Sequence, residues 1–189
     1  MDAVKTVADE RKLLAYNLSA QIIFSYLNGY SCQAVKSVNV SHFSGITAID
    51  YKNDAVIIEL LLKGAELEFF AELNKPIKIQ AIEAAEKLAR IIIAGTAAET
   101  IYENGGYIDE TINIKLHFLD LMKVQYINYI LTHTDPHHHP DFIKNTIDEV
   151  LMYMAKPEVW KNIEELAGNI IKKQFNLNQA EINKIIQNK

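Results

Sequence analysis

The chain has 189 residues, 49% of them hydrophobic and 23% charged, an ordinary globular composition that excludes disordered, collagenous and disulfide-stapled classes. Its 19 Lys and Arg against 24 Asp and Glu leave a formal charge of −5. That balance argues against nucleic acid as a partner and against an anionic membrane surface, because both draw on clustered cations. The single Cys32 allows neither an intramolecular disulfide nor a cysteine-based zinc module, so a reducing, cytoplasmic setting is expected.

At this length one domain over residues 1–189 is expected, with 1–106 and 107–189 as its two parts. The start, Met1-Asp2-Ala3-Val4-Lys5, lacks the basic and apolar regions of a secretory signal. No apolar run approaches the ~20 residues that span a bilayer, so the chain should be soluble. Low Gly and Pro, placed between long periodic segments, point to a mainly α (α+β) fold.

From Asp9 to Asn28, Leu13, Tyr16, Ala20, Ile23, Phe24 and Leu27 recur at three- and four-residue steps and predict a helix that Asn28-Gly29 stops. The period then changes. Residues 34–40 alternate and are β-branched, which predicts a strand with Val38 and Val40 on one face, and residues 46–51 supply a second. Asp54 to Leu62 fits a buried strand or a helix start, so a small sheet is expected near residues 34–62.

Pro76 marks the next boundary, and residues 77–102 predict a long buried helix in which Gly95 marks either a close packing contact or a break. Asn104-Gly105-Gly106 ends it. Another helix is predicted from Asp109 or Glu110 to Thr132, then a polar loop through His133, Asp135, His137, His138, His139 and Pro140. Helices over 141–154 and 157–175 follow, the second opened by Pro157. Asn178 with Glu181 reads as a capping box that starts a short last helix.

Two segments carry a likeness. Tyr16-Asn17-Leu18-Ser19-Ala20-Gln21 leads through an apolar half-helix and a short loop to a strand, and Ala94-Gly95-Thr96-Ala97-Ala98-Glu99 follows later. Together with Asp120-Leu121-Met122-Lys123-Val124, this order resembles the peptidase domain of membrane-bound AAA-type ATP-dependent zinc metalloproteases. In that family the first helix bears H-E-A-G-H, the later helix A-G-R-A-A-E, and an aspartate supplies the third zinc ligand. The resemblance spans most of residues 9–175, and its most literal element is Ala-Gly-x-Ala-Ala-Glu.

The resemblance places Asn17 at the first His, Leu18 at the Glu and Gln21 at the second His. Zinc is held by neutral imidazoles, for which an amide oxygen is a poor substitute, and Leu18 has no basic atom to activate a metal-bound water. Of the ligand positions, Asp120 alone keeps its residue type. With Glu99 it is expected to line a former-site cleft beside Asn17 and Gln21, the bland alternative for each being a local hydrogen-bond acceptor. No G-x-x-x-x-G-K-[ST] pattern occurs, so no ATP site is expected in this chain.

Three readings stay open. One is a catalytically inactive zinc-metalloprotease-like domain, without cofactor, that serves binding or assembly with a protein partner or as a homo-oligomer. Another is a metal-dependent hydrolase whose zinc has moved to Asp120, Glu99 or the His133–His139 loop. In that loop His137, His138 and His139 offer ligand types, although adjacent residues point to alternating sides. The third is an unrelated helical interaction module, favoured if the helices at Asn17 and Ala94–Glu99 do not face each other across a common cleft.

Overall fold

The amino-terminal segment Val7–Leu27 forms α1, with Asp9 and Glu10 in its first turn, where carboxylates complement the helix dipole. It stops at Gly29, whose φ of +82° few other residues adopt, and the Tyr30 amide donates back to the Ser25 carbonyl at 2.9 Å. The computed structural model describes residues 7–39, 44–109, 112–135 and 137–187. The expectation that Val38 and Val40 share a face lies outside the residues whose side chains are described.

Strands β1 (Ser31–Asn39) and β2 (Ser44–Asp50) pair antiparallel, with irregularities between Cys32 and Ala34 and between Ser37 and Asn39. The third strand, β3 (Leu177–Asn178), pairs with β1 at Ala34 and Val35 and gives the order β2-β1-β3. The sheet therefore does not continue to residue 62. After a 3-10 turn at Lys52–Asp54, the ambiguous segment is helix α2 (Ala55–Lys63). Ile57, Ile58 and Leu61 fall on one buried helical face, and Gly64 ends the helix at φ +69°.

Helix α3 (Leu67–Ala71) is short, and α4 (Lys75–Glu103) is the longest element. Asn74 caps α4, its Oδ1 accepting from the Ile77 amide at 3.2 Å, and Gly95 does not interrupt it. Ile91 through Ala98 are all buried. A helix enclosed on every side must be the centre of its fold, and α4 packs against α1, α2 and α3 as well as the two following helices, α5 (Phe118–Thr134) and α6 (Phe142–Met154).

α5 starts at Phe118, well after the predicted Asp109 or Glu110. The reason is a change of period. Ile112, Ile114 and Leu116 alternate with exposed Asn113, Lys115 and His117, so residues 112–117 lie on the core without helix. Helix α7 (Pro157–Lys172) packs against α1, and α8 (Gln179–Gln187) follows β3. The capping box at its start is present: Asn178 Oδ1 accepts from the Glu181 amide and Glu181 Oε2 from the Asn178 amide, each at 3.0 Å. One continuous buried cluster runs from α1 to α8.

A polar knot joins the sheet side to α4. Asp54 accepts from the Tyr30 hydroxyl at 2.7 Å and from Gln80 Nε2 at 2.9 Å, with Lys87 Nζ at 3.6 Å. Cys32 is fully buried, and burial pushes its thiol up to about 11.

Candidate functional site

The residues singled out on α1 and α4 meet. Asn17 is buried against α4, where its amide occupies the space a Cβ at position 95 would need: such an atom would lie 2.7 Å from Asn17 Oδ1 and 2.9 Å from Cγ. Gly95 is therefore a close-approach glycine, not a helix break. It lets the two helices bring a polar side chain between them without a void.

Around this contact runs a chain of hydrogen bonds. Thr47 Oγ1 on β2 donates to Gln21 Oε1 at 3.3 Å, Gln21 Nε2 donates to Asn17 Oδ1 at 2.8 Å, and Asn17 Nδ2 donates to Glu99 Oε1 at 2.8 Å. From the other side His117 Nε2 donates to Glu99 Oε2 at 2.5 Å. Every donor points toward the Glu99 carboxylate, whose side chain is only 15% exposed. Reversing the Asn17 amide would set its oxygen against the carboxylate, so Glu99 fixes the orientation of both amides. A half-buried carboxylate requires such partners, and successive bonds of one polarity reinforce each other.

Asp120 sits apart from this chain. It accepts from Thr96 Oγ1 at 3.5 Å and lies 3.6 Å from Lys123 Nζ, and it makes no bond to Asn17, Gln21 or Glu99. Asp120 joins α5 to α4 through Thr96, while Glu99 bridges α1 to the start of α5. Leu18, at the position a general base would take, is 3% exposed and belongs to the core cluster. Sequence reasoning missed His117. Its signal was position: an exposed residue that precedes the first turn of α5, three before Asp120.

The histidine loop does not converge. His137 is exposed; His138 Nε2 donates to Asn128 Oδ1 at 2.8 Å and packs on Phe142. Burial holds the His138 imidazole below its usual range, outweighing the pull of Asp135. His139 Nδ1 accepts from the Asp141 amide and from Asn145 Nδ2, both at 3.1 Å, and His133 Nδ1 donates to the Tyr129 carbonyl at 2.8 Å. His137, His138 and His139 line a cleft of about 200 Å³ that also holds Glu86, Arg90 and Glu149. Among the described residues no group of three or more His, Cys, Asp or Glu side chains is placed to hold a metal ion. Among the same residues no helix is long and apolar enough to cross a membrane.

The chain matches no protein-family model and no curated protein.

Proposed function

We propose that this chain is a catalytically inactive relative of the zinc-peptidase domain, kept for binding or assembly. The observation that carries the reading is the closed chain from Thr47 through Gln21 and Asn17 to Glu99. Where a peptidase of the likeness would present two imidazoles to a metal, the Gln21 amide donates to Asn17 and the Asn17 amide to a carboxylate. The basic position is taken by Leu18, which is buried. The facing of Asn17 and Gly95 supports the peptidase likeness, because the reading as an unrelated module is favoured where these helices do not face each other.

The test is metal content and turnover of the purified protein. Zinc is expected well below one equivalent, unchanged in Asn17→Ala and Gln21→Ala, with no metal-dependent peptide hydrolysis. Near-stoichiometric zinc that either substitution removes would overturn the proposal. Zinc lost instead on substituting Glu99, His117 or Asp120 would favour a relocated hydrolytic site.

A further inference from the structure

α5 is apolar on two sides. Its inner face, Val124, Ile127, Ile130 and Leu131, is buried in the core, while Phe118, Leu119, Met122 and Tyr129 remain 72, 67, 51 and 49% exposed. Phe118, Met122 and Tyr129 recur at four- and seven-residue steps, so they share one face roughly 16 Å long, with exposed Gln125 between Met122 and Tyr129. A surface helix ordinarily turns mostly polar groups to water, and an exposed apolar patch of this extent marks an interaction surface. The patch continues sideways. The Tyr126 hydroxyl donates to the Ala65 carbonyl in the turn between α2 and α3, and Leu62 and Phe69, each 44% exposed, flank that turn.

Area and charge indicate what covers it. With roughly 200 Å² for a whole large side chain, these six expose on the order of 650 Å² of apolar surface. Interfaces are about 60% apolar, so this corresponds to about 1,000 Å² per partner, above the ~800 Å² of a standard stable complex. Lys115 and Lys123 are exposed near the amino end of α5, whereas exposed Glu59, Glu66, Glu68 and Glu72 around α3 outnumber Lys75 and Lys63, the latter already paired with Glu59. We infer that a second copy of this chain covers the outer face of α5 in a two-fold dimer, with the two α5 helices antiparallel. The axis lays the lysine end of one copy over the glutamate side of the other, twice. That arrangement lets a chain of net charge −5 meet itself without like charges opposed. The dimer gives the assembly role a surface and rests on the α5 face, independently of the peptidase likeness.

Sedimentation velocity tests it on the full chain from about 1 to about 200 µM, the range in which a dimer of ordinary affinity forms. The mass is expected to rise from 21.5 kDa toward twice that value. The F118D/M122E variant should stay monomeric, with the dissociation constant raised about 100-fold or more because charge is driven into the buried centre. Lys115→Glu alone should weaken the dimer a few-fold and K115E/E68K should restore it, a rescue that only self-pairing produces. Circular dichroism reports whether F118D/M122E stays folded; if it does not, the Lys115 and Glu68 pair decides. A wild-type chain monomeric throughout, whether or not it binds other proteins or vesicles, overturns the inference. So does a dimer indifferent to these substitutions.

Discussion

Gly95→Ala reports directly on the α1–α4 contact. In an isolated helix the substitution would stabilise by about 1 kcal/mol, since alanine restricts the unfolded chain and favours the helix. Here the added Cβ would stand 2.7 Å from Asn17 Oδ1, closer than real Cβ contacts come. The amide must move, which strains α1 by about 1–3 kcal/mol and loosens a charge-assisted bond to Glu99 worth about 1.5 kcal/mol or more. The net expectation is a loss of about 2 kcal/mol. In an Asn17→Ala background the collision is gone, and the same substitution should stabilise by about 1 kcal/mol, a coupling of about 3 kcal/mol. Urea denaturation followed by circular dichroism measures both legs of the cycle, and the wild-type-background loss should lower Tm by about 4–8 °C. Equal effects of Gly95→Ala in the two backgrounds would refute the close approach and, with it, the seat of the amide chain.

Burial pushes the Asp54 carboxyl up, but Gln80, Tyr30 and Lys87 outweigh it and hold the group below its usual range. Its contribution is therefore present above the unfolded value and lost as pH falls through the lowered folded one; Asp54→Asn should cost about 1–2 kcal/mol at pH 7, a cost that shrinks in urea titrations as pH falls through that lowered value. With its thiol raised to about 11, Cys32 should resist iodoacetamide in the native protein at pH 8 and react only on unfolding, as mass spectrometry would show. Leu18→Glu, which puts a carboxylate where the peptidase resemblance would have a general base, should cost about 3 kcal/mol or more, because Leu18 lies in the core; a variant as stable as wild type would place it in a cleft.

Periodicity revealed most of the helices, and local chemistry revealed their ends. Asn28-Gly29, Pro76, Pro157 and the Asn178–Glu181 box each act within one turn, so a single sequence displays them. What failed was non-local. Residues 55–63 became helix because α4 receives Ile57, Ile58 and Leu61 as one face, and the third strand came from Leu177–Asn178, more than a hundred residues from its partner β1. The late start of α5 was in principle legible, since Ile112, Ile114 and Leu116 alternate, but short alternation is easily absorbed into a longer helical pattern. At the site, Asn17, Gln21 and Glu99 could be paired through the motif likeness. Asp120 could not be separated from them, because only coordinates show that Thr96 and Lys123 engage it while His117 takes the place beside Glu99.

The order of the chain sets a timetable for its synthesis. α1 packs against both α4 and α7, and β1 lies between β2 and β3, so these elements are completed by segments synthesised more than a hundred residues after them. At ordinary elongation rates, on the order of ten seconds separate the emergence of α1 from that of α7. During that interval the face of α1 that α7 will bury, and the second edge of β1, have no partner within the chain. A nascent protein of this topology is most exposed to aggregation and to holding chaperones just before α7 and β3 appear, and truncations that remove them should prolong that state.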